Sequence, residues 1–350
     1  MNFLPQTKAD LIELLSISND DDCKMLYNKA KQMRIKHCGN TIYYRGLIEI
    51  SNECKKNCLY CGIRASNNEI NRYELTKAQV LKAADFAYEH NFGSIAIQGG
   101  EKNSLKWELY IEDIIKTIQK RSQGTLGITL SLGEQSKECY RRWQEAGAHR
   151  YLLRIETSNE NLYKKIHPKD HSYKTRIDCL HSLKELGYQL GTGVMCGLPL
   201  QTTEDLANDI LFFKEIDADM IGLGPFIPHH ATPFADVVID KKAQLTTALK
   251  LLATTRLYLQ NVNMVASTAM QALDPQGREA ATEAGANIIM PNLTDVEYKT
   301  QYQLYEGKPN LKEFSLETHK QLDENLIALG NKIGYGQWGD SPHAIKNKPH

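Results

Sequence analysis

The sequence predicts an α/β protein, a (βα)8 TIM-type barrel preceded by a helical extension. The chain has 350 residues, enough for one such barrel. Short apolar runs alternate with amphipathic helical segments, and no low-complexity linker interrupts them. This alternation predicts parallel strands, which right-handed crossovers can close into a barrel. An open doubly wound sheet is the alternative that the pattern also allows.

Eight apolar runs are the candidate strands. They cover residues 47–51, 94–98, 127–132, 151–155, 189–195, 220–224, 264–267 and 287–290. In a barrel of this kind the active site lies at the carboxyl ends of the strands. Polar residues at these ends are therefore candidates for one shared site.

The helices between the strands carry recognisable start signals. Thr76 with Gln79, and Thr202 with Asp205, predict capping boxes at two helix N-termini. The apolar pattern before residue 45 predicts two helices outside the barrel. After residue 291 it predicts a loop and a terminal helix over 317–332.

Three regions follow from these elements. Residues 1–45 are the predicted N-terminal helical extension, and residues 46–291 the predicted barrel. Residues 292–350 are predicted to form a loop and a helix that close the barrel.

The composition narrows the function classes. The chain carries 42 basic and 42 acidic residues, a balance that argues against binding nucleic acid or an anionic membrane. No apolar stretch approaches the ~20 residues that a membrane-spanning helix needs. The first residues lack the basic region and apolar core of a secretory signal, so we expect a cytoplasmic protein.

Three cysteines follow the first predicted strand in a C-x3-C-x2-C arrangement: Cys54, Cys58 and Cys61. Three thiolates on one short loop can ligate three irons of a 4Fe-4S cluster, which leaves the fourth iron open to another molecule. A structural zinc site would need a fourth ligand, and no second C-x2-C pair occurs. A disulfide framework suits short secreted chains. The spacing therefore favours one reactive iron–sulfur cluster, and this is the motif of radical S-adenosylmethionine (SAM) enzymes.

Further segments extend this resemblance to the FeFe-hydrogenase maturases of the HydE type, members of the radical SAM superfamily. The matching segments are RGLIEISN (45–52), CLYCGIR (58–64), TLSLGE (129–134), RYLLRIET (150–157), GLGPFIPH (222–229), TAM (268–270), GRE (277–279), ANIIMPN (286–292) and YQLY (302–305). The similarity runs from about residue 40 to about residue 310.

The resemblance implies an enzyme that binds a 4Fe-4S cluster and cleaves SAM reductively to a 5′-deoxyadenosyl radical. Its expected task is assembly of the diiron part of the hydrogenase active site. The implied substrate is small and organometallic or cysteine-derived, a cysteine-bound iron carbonyl–cyanide species. Other hydrogenase maturases and an electron donor are the implied partners.

A SAM pocket needs acids for the ammonium group and the ribose hydroxyls, and a base for the carboxylate. With the resemblance, these roles fall first to Glu156 and Arg176. The further candidates are Gln98, Ser131, Arg154 and Met195. A structural ion pair between Arg154 and Glu156 is the alternative for those two residues, and a core position is the alternative for Met195.

The substrate pocket is expected in the lower half of the barrel. Its candidates come from the last strands and their loops: Ser267, Thr268, Arg278, Met290, Asn292 and Tyr302. Hydroxyls and a guanidinium there would suit a cysteine carboxylate. Tyr305 is the candidate catalytic residue, as a hydrogen-bond donor or in radical transfer, and a packed tyrosine is the alternative.

Two features depart from the family pattern. Residues 98–102 are Gln-Gly-Gly-Glu-Lys, where many relatives have Gln-Ser-Gly-Glu-Asp. Some relatives also carry a second cysteine triplet near the C-terminus, but this chain has no cysteine after Cys196. We therefore expect a single cluster.

Other functions fit part of the pattern. Biotin synthase needs further cysteines on barrel strands, and strands 94–98 and 127–132 contain none. A lysine mutase of the methylornithine synthase kind stays open. So does a non-catalytic iron–sulfur carrier, for which the SAM residues would be incidental.

Overall fold

Eight parallel strands form the barrel that the sequence predicts. In the computed structural model, which describes residues 3–309 and 316–346, the strand order is β10-β1-β2-β3-β4-β5-β7-β9. A bridge between Val265 and Ile288 joins the two ends of this order. The backbone N–H of Ala266 also donates to the carbonyl of Ile288 at 2.9 Å. The alternative open sheet is therefore excluded.

The strands are Thr41–Ser51 (β1), Ser94–Gly99 (β2), Gly127–Ser131 (β3), Arg150–Leu152 (β4), Gln189–Thr192 (β5), Met195–Cys196 (β6), Met220–Ile221 (β7), Gly224–Pro225 (β8), Asn263–Met264 (β9), Ile288–Ile289 (β10) and Lys332–Ile333 (β11). The helices are Lys8–Leu15 (α1), Asp20–Cys38 (α2), Lys77–Glu89 (α3), Leu105–Arg121 (α4), Lys137–Glu145 (α5), Glu160–Ile166 (α6), Tyr173–Glu185 (α7), Thr203–Glu215 (α8), Lys241–Leu259 (α9), Thr268–Leu273 (α10), Gly277–Glu283 (α11), Val296–Lys299 (α12), Leu316–Ala328 (α13) and Pro342–Lys346 (α14).

Side chains alternate along each strand between the helices and the barrel interior. On β2, Ile95 and Ile97 belong to the main hydrophobic core, whereas Gln98 lines the interior cavity. On β3, Ile128 and Leu130 face the core in the same way. The outward residues bury apolar surface against the helices, which leaves the inward positions for polar side chains.

Two of the predicted strands are interrupted. The predicted strand 189–195 appears as β5 and β6, and the predicted strand 220–224 appears as β7 and β8. The two backbones come very close here, since a Cβ atom on Gly193 would lie 1.9 Å from the carbonyl oxygen of Gly222. Only glycine fits this approach, and the strands resume pairing between β6 and β8.

Both predicted capping boxes are present, at Thr76 and at Thr202. In each, the threonine side chain accepts a hydrogen bond from the backbone N–H three residues later. The side chain of that later residue, Gln79 or Asp205, accepts a hydrogen bond from the backbone N–H of the threonine. The two predicted N-terminal helices are α1 and α2, which pack against α8 and α9. Strand β1 begins at Thr41, six residues before the prediction.

The C-terminal region differs from the prediction. Helix α13 ends at Ala328 rather than at residue 332, and Gly330 has a positive φ of 84°. Lys332 and Ile333 then pair with β1. This strand could not be foreseen because its two residues carry no alternating pattern of their own.

Residues 338–340 seal the amino end of the barrel, opposite the cysteine loop. Arg150 donates to the carbonyl of Trp338 at 2.9 Å and to Asp340 at 2.7 Å. Asn263 donates to the carbonyl of Gly339 at 2.8 Å. Among the described residues, no helix has the length and apolar character that crossing a bilayer requires.

Asp209 on α8 generates a prediction about stability. Burial raises its pKa from 3.8 to about 7, even though Ser158 donates to it twice at 2.6 Å. Between these values the unfolded chain releases a proton that the folded chain keeps, so the free energy of unfolding falls from about pH 4 to about pH 7. Asp209→Asn should therefore be nearly neutral at pH 4 and stabilising at pH 8, by about 2–4 kcal/mol. Urea unfolding at both pH values measures this difference.

The matched control is Asp205→Asn on the same helix. Burial of Asp205 is outweighed by hydrogen bonds from Asn159 and Thr202, which hold its pKa below the ordinary value. We expect no gain at pH 8 for this variant. Equal effects of Asp209→Asn at both pH values would contradict the prediction.

Candidate active site

A cavity of about 340 Å³ opens at the carboxyl ends of the barrel strands. Fourteen of the residues predicted from the sequence line it: Cys54, Cys58, Cys61, Gln98, Ser131, Arg154, Glu156, Arg176, Met195, Ser267, Thr268, Met290, Tyr302 and Tyr305. A groove of about 880 Å³ also lies outside the barrel along α3, and none of the predicted residues line it. The barrel mouth is therefore the candidate active site.

The cysteine loop is held by backbone hydrogen bonds to three other segments, around residues 101, 166 and 304. The N–H of Lys55 donates to the carbonyl of Glu101 at 3.0 Å, and the N–H of Leu59 to that of Ile166 at 3.0 Å. The N–H of Gly62 donates to the carbonyl of Leu304 at 2.9 Å. These contacts fix the loop from several sides, so the three thiols face the cavity together.

The three cysteines are partly buried on the wall of the cavity. Burial raises the pKa of Cys58 to about 12, and it also raises the pKa of Cys54 and of Cys61. Buried thiols stay protonated unless a cation stabilises the thiolates. All three are free of disulfide bonds and line the same cavity. This donor set fits an iron–sulfur cluster, since iron bound to sulfur would supply the charge that the thiolates need.

The loop that departs from the family pattern supports the cysteine loop. A Cβ atom on Gly100 would lie 2.3 Å from the carbonyl oxygen of Glu53 and 2.8 Å from the Cβ of Cys54. The N–H of Glu101 donates to the sulfur of Cys54 at 3.3 Å. Lys102 points elsewhere and forms ion pairs with Glu53 and Glu74. Lys102 therefore stabilises the outside of the cysteine loop and does not line the cavity.

A buried charge network forms the wall between the cysteine loop and β4. Arg176 donates to Glu134 at 2.7 Å and to the carbonyl of Arg154 at 2.7 Å. Lys56 pairs with the same carboxylate at 2.8 Å. Burial would raise the pKa of Glu134, but hydrogen bonds from His171, Lys56 and Arg176 hold it well below 4.5.

Glu134, Lys56 and His171 were missed as site residues, although Glu134 and Lys56 lie in segments that the sequence had marked. Their spacing alone gave no signal that a helix arginine would bring them together.

Glu156 occupies a strained position. Its φ is +67°, in the left-handed region that residues other than glycine rarely adopt. Arg154 donates to its carboxylate through Nε at 3.0 Å and through Nη2 at 2.9 Å. The ion pair considered from the sequence is thus present, and both residues still line the cavity. The backbone N–H of Met195 donates to the carbonyl of Glu156 at 3.1 Å, which places Met195 beside them.

The other side of the cavity is lined by hydroxyl groups. The hydroxyls of Thr268 and Tyr305 lie 2.9 Å apart. Burial raises the pKa of Tyr305 to about 12, so this phenol stays protonated at neutral pH and is available as a donor. Gln98 donates to the hydroxyl of Tyr302 at 3.3 Å. The hydroxyl of Ser267 is buried and has no hydrogen-bond partner, as expected for a group that meets a ligand.

Two predicted residues do not line the cavity. Asn292 donates to Glu49 at 2.9 Å, and Glu49 is also paired with Lys308 beneath Tyr302. Arg278 lies on α11, buried, with no partner for its Nε. Asn292 therefore belongs to the hydrogen-bonded network that supports Tyr302. The structure does not bring Arg278 to the cavity wall, and substrate contact by either residue stays a prediction.

Comparison with known proteins agrees with this arrangement. Residues 48–213 match the family model of the radical SAM superfamily. The methylornithine synthase PylB has a similar solved structure, with a TM-score of 0.82 at 23% identity and 94% coverage of both chains. The barrel with its cysteine loop is thus that of a radical SAM enzyme, and this class uses a 4Fe-4S cluster and SAM.

The sequence relatives define the family more narrowly. The chain is 45% identical to the [FeFe] hydrogenase maturase subunit HydE of Thermotoga maritima, over 95% of this chain and 93% of that protein. It is 27% identical to the 3-methylornithine synthase of Methanosarcina acetivorans, over 80% and 77% of the two chains. The chain belongs to the HydE family of [FeFe]-hydrogenase maturases.

The close approach at Gly100 generates a prediction. In Gly100→Ala the added methyl group must displace Glu53 or Cys54, because the backbone of Glu53 and the Cβ of Cys54 cannot rotate away. We expect a lower free energy of unfolding, by about 1–3 kcal/mol, and a reduced iron content after anaerobic reconstitution. Gly99→Ala is the adjacent control, where the nearest atom is the Ile50 side chain at 3.0 Å. Full iron loading of Gly100→Ala would contradict the prediction.

Proposed function

We propose that this enzyme holds one 4Fe-4S cluster through Cys54, Cys58 and Cys61 and acts in assembly of the diiron site of [FeFe]-hydrogenase. When bound together, the cluster and SAM supply a one-electron cleavage of a carbon–sulfur bond that gives methionine and a 5′-deoxyadenosyl radical. The observation that carries the proposal is the set of three free thiols on the wall of a cavity large enough for further ligands. Three thiolates occupy three irons and leave one iron for SAM.

The charged side chains at the mouth are proposed to bind SAM. The carboxylate of Glu156 would accept hydrogen bonds from the ribose hydroxyls or the ammonium group, and Arg154 holds it in place. Gln98 and Ser131, at adjacent strand ends, would add polar contacts, and Met195 would pack against the sulfonium or adenine. Arg176 is already bonded to Glu134 and to the Arg154 carbonyl. Its contribution would therefore be to fix this wall and to provide positive charge near the SAM carboxylate.

The hydroxyl-lined side is proposed to bind the substrate, a cysteine-bound iron carbonyl–cyanide species. The free hydroxyl of Ser267 and the Thr268–Tyr305 pair would donate to its carboxylate. Met290 and Tyr302 would form the remaining wall. Other hydrogenase maturases would deliver the substrate and receive the product, and a separate electron donor would reduce the cluster. These reactions suit the reducing cytoplasm, where we place the protein.

Other radical SAM functions are less well supported. The identity to methylornithine synthase is 27%, against 45% for the maturase. Strands β2 and β3 contain no cysteine that would hold the auxiliary cluster of a biotin synthase. A pure iron–sulfur carrier would have no use for a polar cavity built by so many strand ends around the thiols.

The decisive experiment is anaerobic reconstitution with iron and sulfide, followed by reduction with dithionite in the presence of SAM. We expect 5′-deoxyadenosine from the native enzyme and none from Cys58→Ala, which should lose cluster iron while keeping the barrel folded by circular dichroism. Adding the iron carbonyl–cyanide product of the partner maturase should increase turnover. A loaded cluster that never cleaves SAM, with or without that substrate, would favour the carrier.

The role of Glu156 has its own test. Glu156→Ala removes a carboxylate hydrogen bond of the kind that contributes about 1.5–3 kcal/mol, so SAM should bind roughly 10- to 100-fold more weakly. Calorimetric titration of the reconstituted protein measures this affinity, and the cluster content should stay unchanged. Glu160→Ala is the control, since Glu160 is exposed and pairs with Lys164. Unchanged SAM affinity in Glu156→Ala would remove this residue from the site.

A further inference from the structure

The loop between α6 and α7 packs directly on the cysteine loop. The N–H of Leu59 donates to the carbonyl of Ile166, and the hydroxyl of Tyr60 lies 3.1 Å from Nε2 of His167. His171 comes from the end of this connection. Its side chain is fully buried, and its Nδ1 lies 3.9 Å from the sulfur of Cys58.

Cys58 differs from the other two cysteines in the donors around its sulfur. Backbone N–H groups approach Cys54, from Glu101, and Cys61, from Ile63. The donor beside the Cys58 sulfur is a side chain, the imidazole of His171, whose Nδ1 lies 3.9 Å away. A backbone N–H group is present whichever residue occupies the position, whereas a side-chain donor is present only where the sequence places a suitable residue.

The groups around the His171 ring determine whether Nδ1, the nitrogen that faces Cys58, carries a hydrogen. Nε2 lies 3.1 Å from Nη2 of Arg176 and 3.3 Å from the carboxylate of Glu134. A neutral ring that accepts from Arg176 at Nε2 must carry its hydrogen on Nδ1, because guanidinium groups only donate. A doubly protonated ring that donates to Glu134 carries hydrogen on Nδ1 as well. The remaining tautomer would turn a lone pair toward a thiolate, which is repulsive.

We propose that His171 is a positioning residue for the cluster and that its Nδ1–H donates a hydrogen bond to the Cys58 thiolate. The inference rests on the proposed ligation by Cys58. Reduction adds negative charge to the cluster and its sulfurs, and a donor aimed at one sulfur stabilises that charge. His171 thus raises the midpoint potential of the cluster and eases its reduction. Glu134 and Arg176 hold the ring in the orientation that this requires.

The experiment compares two substitutions in the reconstituted holoenzyme. His171→Phe keeps a ring and removes the donor, whereas in His171→Asn the amide nitrogen can take the place of Nδ1. The midpoint potential, from an EPR-monitored redox titration without SAM, should shift to more negative values in His171→Phe. It should stay near the native value in His171→Asn. An unmoved potential in His171→Phe, or an equal shift in both variants, would overturn the proposal.

A further variant covers a failure of His171→Phe to load its cluster. His171→Gln places its amide near Nε2, where it can still meet Glu134 and Arg176, and it lacks a donor at the Nδ1 position. It should show the same negative shift, and a native potential would overturn the proposal. Failure of the proposed ligation would look different, because the native enzyme would then take up no cluster or Cys58→Ala would keep it.

Discussion

The candidate active site depends on how a short loop without regular structure is held in one conformation. The cysteine loop obtains its backbone hydrogen bonds from the segments around residues 101, 166 and 304, which follow three different strands or helices of the barrel. Gly100 lets one of these segments approach within contact distance of Cys54. Because the partners lie far apart in sequence, the loop has its shape only when the barrel is closed. The fold and the proposed metal site therefore form together.

The charged side chains at the cavity mouth also depend on the closed barrel, because they come from separate segments of the chain. Glu134 is shared by Lys56 from the cysteine loop and by Arg176 from α7, and His171 contacts both Glu134 and Arg176. Buried charges are stable only when they are paired and hydrogen-bonded, so each member of this network constrains the others. The same groups orient the imidazole toward Cys58. One network thus links the geometry of the proposed SAM side to the environment of a proposed cluster ligand.

Motif and periodicity predicted the barrel and many of the residues that line the candidate site, since both leave local signals. The three cysteines have fixed spacing, and Gln98 and Ser131 lie at the ends of alternating strands whose inward face follows from a period of two. Asn292 also lies near a strand end, but its side chain donates a hydrogen bond to Glu49. No local sequence pattern indicates that Glu49 is buried in an ion pair with Lys308. Glu134 and His171 were missed for the same reason. Their importance comes from partners that the sequence does not place beside them.

The sequence by itself determined the class of fold, the three-cysteine motif and the family resemblance, because these depend on short spacings and repeated patterns along the chain. The tertiary structure alone decided the split of the fifth predicted strand at Gly193, the seal of the barrel by residues 338–340, and the left-handed backbone of Glu156. It also decided which side chains around the thiols are already bonded and which, like Ser267, are free. These features arise from close approaches between distant segments, whose distances are set by packing rather than by local preference.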